Sequence, residues 1–272
     1  MSTRTIYPVL NAAQWYREYM KEIAFSEQPA ESWDKRAHSM QKKGNPRSKY
    51  FDFFINAIDL NGISTVLDVG SGTGALALQL APHVDHVYCL DYSRAMLDYV
   101  ELNAREAKLA NISTIHLSKE DDWQGLVPEV DVLVSSRSGL DIDIERLFEK
   151  FHRHTRQHIY FSYLAGGRFD QPEISSLLNK ERKAFPDYIH IINILYEMGI
   201  DPASSFVHAP GRFQHCTDEA HFIELVTAYY GDSTADDIDA LRHFYQKESA
   251  NFVKDNYAMK WALIDWVVPE KK

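Results

Sequence analysis

Between Ser64 and Tyr163, short apolar runs alternate with amphipathic stretches of helical spacing. The runs are Thr65–Asp68, His86–Asp91, Ile112–Leu117, Val130–Ser135 and His158–Tyr163. One stretch between them, Arg94–Lys108, puts Met96, Leu97 and Val100 at helical spacing. Strands that alternate with helices predict βαβ units and a mainly parallel sheet, buried on both faces. Upstream the period is helical throughout. Trp15, Tyr16, Tyr19, Met20 and Ile23 line one face of residues 11–24, and Tyr50, Phe51, Phe54, Ile55 and Ile58 do so in Ser48–Leu60, with Gly44, Asn45 and Pro46 between. Residues 1–60 are therefore expected to form a helical N-terminal cap on a unit spanning 61–272.

After Gly166 and Gly167 the rhythm loosens. Pro186–Met198 reads as an apolar helix that Gly199 ends, and Ser204–His208 as a strand. Thr217–Tyr230 reads as a helix with Thr217 at its N-cap, followed by a helical stretch from Ala235 to about Asp255 and a strand at Met259–Val268. Two late strands separated by helices predict an antiparallel edge hairpin carrying a helical insertion at about 217–256. The expected class is α/β, a doubly wound and mostly parallel sheet.

Charge narrows the partners. The net charge of −10 and pI of about 5.6 argue against DNA or bulk RNA, because phosphate contacts need an excess of Lys and Arg. One basic stretch stands against that balance: Lys35, Arg36, Lys42, Lys43, Arg47 and Lys49 follow one another with no acid among them. Cys89 and Cys216 have neither metal-ligand spacing nor a CxxC partner, and no metal site is expected. The chain shows no apolar run long enough to span a bilayer and no signal-peptide core, so the expected setting is the cytoplasm.

The strongest local signal is Val66-Leu67-Asp68-Val69-Gly70-Ser71-Gly72-Thr73-Gly74, at the first strand-to-helix junction. Glycines there let the backbone turn sharply and approach a ligand, and the following helix start offers free N–H groups. Asp91 ends the next strand, where a carboxylate can accept from both hydroxyls of a ribose. The loop also satisfies the dinucleotide pattern G-x-G-x-x-G/A, so by itself it leaves a nicotinamide or flavin cofactor open. Two features point elsewhere. Asp68 stands at the mouth of the crevice, where its charge repels a pyrophosphate and suits an ammonium. The third run leads into Glu120-Asp121-Asp122-Trp123, an acid for an adenine amino group beside an aromatic ring, or equally a helix cap with a packed aromatic.

VLDVGSGTG, CLDYSRAML and SKEDDW together resemble the first three motifs of the class I S-adenosylmethionine-dependent methyltransferases, over roughly residues 50–165. The resemblance implies a seven-stranded sheet in the order 3-2-1-4-5-7-6. It implies that Gly70, Ser71, Gly72 and Gly74 shape the loop under the methionine portion, that Asp68 orients the cofactor's charged end, and that Asp91 binds the ribose. Tyr92 and Met96 would flank the adenine, with Asp121 or Asp122 at its amino group, Trp123 over the base, and Ser135 at the end of the fourth strand. Glu31-Ser32-Trp33-Asp34-Lys35-Arg36-Ala37 resembles the Trp-Asp-x-x-Ala entry segment of small-molecule methyltransferases, which implies that Trp33 and Arg36 line the site.

Methyl transfer from a sulfonium needs alignment and exclusion of water more than a catalytic motif, and a base only for a weak nucleophile. The carboxyl end of the fourth run carries Arg137, suited to clamp a carboxylate or phosphate or else to pair with Asp141. Tyr163 after the fifth run is a further candidate, as are His208 and His215 beside Pro210-Gly211-Arg212. His152, His154 and His158 are expected on a solvated helix end. The absence of an Asn/Asp-Pro-Pro-Tyr/Phe motif after the fourth run counts against methylation of nucleobase or glutamine amino groups. The expectation is methyl transfer from S-adenosylmethionine to a small molecule. A nicotinamide-dependent oxidoreductase and a non-catalytic cofactor-binding adaptor are the alternatives.

Overall fold

A computed structural model describes residues 11–42, 48–252 and 258–270. Three helices lead: α1 (Ala12–Glu22), α2 (Ala30–Lys42) and α3 (Lys49–Ala57). Then come β1 (Thr65–Val69), α4 (Ala77–Leu80), β2 (His86–Asp91), α5 (Arg94–Glu106), β3 (Ile112–His116), β4 (Val130–Ser135), α6 (Ile144–Arg153) and β5 (Thr155–Leu164). The chain continues with α7 (Pro172–Leu177), α8 (Tyr188–Glu197), β6 (Ala203–Ala209), α9 (Glu219–Tyr230), α10 (Ala235–Glu248) and β7 (Met259–Val267). Lys43, Arg47 and the Gly44-Asn45-Pro46 break lie outside the described residues, as does the end of the helical stretch predicted to reach Asp255.

The sheet has the order β3-β2-β1-β4-β5-β7-β6, as the family resemblance implies. β1 pairs in parallel with β2 and β4, while β7 runs antiparallel to both β5 and β6. Alternation of side chains divides the core into two layers. Leu67, Val69, Leu90 and Leu133 face Tyr16, Phe148, Phe151 and Ile194 on one side. Val66, Val87, Cys89, Val132 and Val134 face Phe54, Leu80, Leu97 and Val100 on the other. A third core joins α7, the turn after β6, α9 and α10, where Ile174, Phe213, Phe222, Val226, Leu241 and Phe252 meet.

Local signals explain most boundaries. Ser48 and Ser93 cap α3 and α5, accepting from Phe51 N and Met96 N, and Gly199 follows α8 at a φ of 80°. The cap of α9 is Asp218 rather than Thr217: its carboxylate accepts from His221 N at 2.8 Å, and the Thr217 hydroxyl turns to Asp218 and His221. His152 is half-buried in place of being solvated, accepts from the Trp266 indole at 2.9 Å, and titrates at about 4 because burial disfavours its charged form. Among the described residues no helix is long and apolar enough to cross a membrane.

Candidate active site

The glycine loop closes on the tips of β1 and β2. Gly70 N and Ser71 N both donate to Leu90 O, at 2.8 and 3.1 Å, and Gly70, Gly72 and Gly74 hold φ values of 70°, 54° and 87°. Their roles differ. A Cβ on Gly70 would meet the Ser138 Cβ at 2.4 Å and one on Gly74 the Val100 side chain at 3.3 Å, whereas one on Gly72 would enter open space. Gly70 and Gly74 thus serve packing, while Gly72 keeps the backbone bare on the open side.

Beside that opening stand polar atoms with no hydrogen-bond partner among the described residues. Asp68 is 2% exposed, and its Oδ2 and the Ser71 Oγ are buried without one. Burial first, and then the charge of Asp91, raise the Asp68 carboxyl from 3.8 to about 7. A buried carboxylate left this way is costly unless a cation or donor completes it. Asp91, by contrast, is held: Oδ2 accepts from Gly72 N and Oδ1 from Ser93 N, each at 2.9 Å. Burial raises its pKa too, with the Ser93 and Gly72 N–H groups opposing the rise. Each of its oxygens keeps a second lone pair for a further donor.

The N-terminal cap covers this region. Asp34 Oδ1 accepts from Ser93 Oγ at 2.5 Å and from Ala95 N at 3.2 Å, so an acid of α2 caps the start of α5. The Tyr92 hydroxyl donates to Gln28 O at 2.9 Å and is pushed up to about 12 by burial and by Glu27, with a hydrogen bond from Trp33 opposing. The Arg36 guanidinium lies 5.0 Å from the Trp33 ring. Met96 is buried in the first turn of α5. Lys119 adds a tie no sequence signal marked: Nζ reaches Glu27 at 2.8 Å and Asp141 at 3.7 Å and donates to Leu140 O at 2.6 Å.

Beyond the end of β3 the structure follows the second of the two readings, capping acids with a packed aromatic. Asp121 Oδ2 accepts from Ser118 N at 2.7 Å and Asp122 Oδ1 from Gln124 N at 3.1 Å, both on the surface, so the two acids cap turns. Trp123 is a core residue: 1% exposed, it donates to Ser118 O and packs against Phe151 and the Lys150 ammonium. No ring face remains open for a base.

At the end of β4, Ser135 is fully buried with Oγ on Ser138 Oγ at 2.9 Å, and Ser138 Oγ donates to Val69 O at 2.8 Å. These serines brace the β1–β4 junction from behind. Arg137 sits on the exposed side at a φ of 57°, unusual for a residue with a side chain, and its N–H donates to Ser162 Oγ at 2.8 Å. Its guanidinium lies over Tyr50 and Phe51, at 4.5 and 4.9 Å, and among the described residues it has no acid partner. Asp141, the alternative partner, turns to Lys119 instead.

Two candidates fall away from the site. Tyr163 is 1% exposed with its hydroxyl on that of Tyr16 at 3.1 Å, and burial drives its pKa well up, so it can neither reach solvent nor serve as a base. His208 is exposed on β6, the sheet's edge strand, four strand positions from β1. At the usual strand spacing that is about 19 Å from the glycine loop.

Comparison with known proteins bears on this geometry. A family model described as a methyltransferase domain matches residues 66–158, the stretch that holds the glycine loop, Asp91 and β4. Over residues 66–158 the chain carries a methyltransferase domain, in the fold of the class I S-adenosylmethionine-dependent methyltransferases. It is 31% identical to an uncharacterized protein of Haemophilus influenzae over 97% of this chain and 98% of that one. It is 33% identical to an uncharacterized RNA methyltransferase of Lactiplantibacillus plantarum, over 36% of this chain and 23% of that protein. In structure it is similar to a methyltransferase of Geobacter sulfurreducens solved with S-adenosylhomocysteine, at a TM-score of 0.52 and 16% identity over 86% and 98% of the two chains. Within this methyltransferase family the nicotinamide reading of the loop loses its ground. Asp34 and Tyr50 join the site without a sequence signal of their own for that role, although Asp34 stands inside the Trp-Asp segment.

Proposed function

We propose that this methyltransferase uses S-adenosylmethionine to methylate a small molecule, bound at the carboxyl ends of the strands between the N-terminal cap, Arg137 and the late helical insertion. The observation that carries the reading is the pair of buried, unpartnered atoms at the glycine loop, Asp68 Oδ2 and Ser71 Oγ, beside the open space at Gly72. That set suits an amino-acid end with its ammonium near Asp68, and Asp91 offers lone pairs to ribose hydroxyls. When bound, S-adenosylmethionine supplies an electrophilic sulfonium methyl group.

The chain's own part is to hold and to exclude. Asp68, ionised, binds a positive group, Gly72 lets the backbone come close, and Asp91 fixes the loop while accepting from the ligand. α2, latched by Asp34, keeps water from the reacting centre. Arg137, with no acid to neutralise it and a strained backbone, orients the acceptor. No general base is assigned: Tyr163 is buried on Tyr16, and His208 stands away from the glycine loop. The local likeness to an RNA methyltransferase favours a second reading, with RNA as acceptor and the exposed Lys35 and Arg36 as its first contacts. Labelled-methyl transfer into a low-molecular-weight metabolite extract and into total RNA, run in parallel, separates them. Label confined to small molecules supports the proposal; label confined to RNA overturns the acceptor class; label in neither, with cofactor bound, favours the adaptor.

A further inference from the structure

Two arginines from separate elements meet on one aromatic ring at the carboxyl-end side of the sheet, and a third, on the N-terminal cap, lies within reach of their field. β5 and β6 both run antiparallel to β7, so the carboxyl end of β6 opens on the same face as the glycine loop. Arg212 lies in the turn that leaves β6. Arg182 lies in the segment between α7 and α8, which is pinned to the end of β5 where Phe185 N donates to Gly167 O at 2.7 Å. Arg36 projects from α2 of the cap. The Arg212 and Arg182 guanidiniums both lie against one ring, that of Tyr229 in α9, at 4.0 and 4.9 Å, and Arg182 also lies 5.9 Å from Tyr230.

Nothing negative answers this charge. Among the described residues none of the three arginines has a carboxylate within ion-pair distance, although the whole chain carries ten more acids than bases. Arg212 makes no hydrogen bond there, and Arg182 only a long one to Tyr229 O at 3.5 Å. Desolvation lowers the pKa of Arg212, Tyr229 and Tyr230 oppose the shift, and the fields of Arg36 and Arg182 add to it. A ring face stabilises a guanidinium but leaves its N–H fork free in the plane. Like charges brought together this way repel, and an anion among them removes that cost.

We infer that Arg182 and Arg212, stacked on Tyr229, form a clamp for a phosphate monoester carried by the methyl acceptor. A phosphate monoester suits the clamp better than a carboxylate: it carries nearly two charges at neutral pH and three acceptor oxygens, enough for more than one fork. The inference rests on the small-molecule methyltransferase reading for the word acceptor, but the clamp is defined by its own residues.

The test uses the full chain, with phenyl phosphate, inorganic phosphate and benzoate as calorimetric probes and S-adenosylmethionine titrated in parallel. Arg182→Gln, Arg212→Gln and the double variant are compared with the wild type, and an unchanged S-adenosylmethionine titration certifies that each variant is folded. The expected result is that phenyl phosphate binds more tightly than inorganic phosphate or benzoate, and that each single variant weakens it about tenfold or more, the loss typical of a charge-assisted hydrogen bond. The clamp is overturned if the double variant binds phenyl phosphate as the wild type does, if the wild type does not bind it, or if benzoate binds equally well. Equal binding of inorganic and phenyl phosphate overturns its assignment to an acceptor. Phosphate binding that depends on the arginines, in a protein that does not bind S-adenosylmethionine, leaves the clamp standing and removes the methyl-transfer reading alone.

Discussion

Asp91 Oδ2 accepts the backbone N–H of Gly72 at 2.9 Å, so the acid at the tip of β2 sets the curvature of the loop after β1 as well as facing the crevice. Replacing it with alanine removes that acceptor and the one for Ser93 N together. Asp91→Ala is expected to weaken S-adenosylmethionine about tenfold to a hundredfold, the range for a lost hydrogen bond to a charged group. Calorimetry on the variant checks it; unchanged affinity contradicts the role.

Asp68 gives a pH dependence with a definite sign. Its folded-state pKa of about 7 lies above the ordinary 3.8, so the folded chain holds an extra proton between those values. Its contribution to stability is therefore present at low pH and is lost as pH rises from about 4 to about 7. Binding of an ammonium group needs the ionised form, so affinity for S-adenosylmethionine should rise about tenfold from pH 6 to pH 8. Asp68→Asn should bind weakly with a flat profile. A wild-type profile that is flat or falls over this range contradicts the assignment.

Two glycines of one loop should respond differently. In Gly70→Ala the new methyl collides with the Ser138 Cβ at 2.4 Å, and the fold should lose roughly 2–4 kcal/mol from crowding and left-handed strain. Gly72→Ala meets nothing in the protein, costs about 1 kcal/mol of strain, and should instead block the ligand. Denaturant melts paired with cofactor titrations distinguish them; equal effects on stability contradict the division.

Asp34→Ala unlatches the cap. Loss of its hydrogen bonds to Ser93 Oγ and Ala95 N should cost about 1 kcal/mol, the usual value of a helix cap. Hydrogen exchange should quicken in α2 while the strands stay protected. Equal exchange in α2 of both proteins would show that the latch is not what holds it.

The parallel core was legible because burial on both faces leaves plain apolar runs: β2 and β4 begin and end at the residues the runs mark. α6 fits the same alternation, with Ile144, Leu147, Phe148 and Phe151 at helical spacing between the fourth and fifth runs. The glycine loop, Asp68 and Asp91 stand out in sequence because the chemistry uses contiguous residues. Contacts between distant segments do not. Asp34 on Ser93, Lys119 on Glu27, and Arg182 with Arg212 on Tyr229 join residues tens of positions apart, and no local period records them. Tyr163 differs from expectation for a related reason: an aromatic at a strand end packs inward or outward according to the neighbouring helix, here α1.

The central claim is that the glycine loop, Asp68 and Asp91 form a site for S-adenosylmethionine. Calorimetric titration of the wild type and of Asp91→Ala with S-adenosylmethionine and S-adenosylhomocysteine tests it most directly. The account predicts one site per chain, shared by the two ligands, with affinity lost in the variant. A folded wild-type protein that binds neither ligand contradicts it.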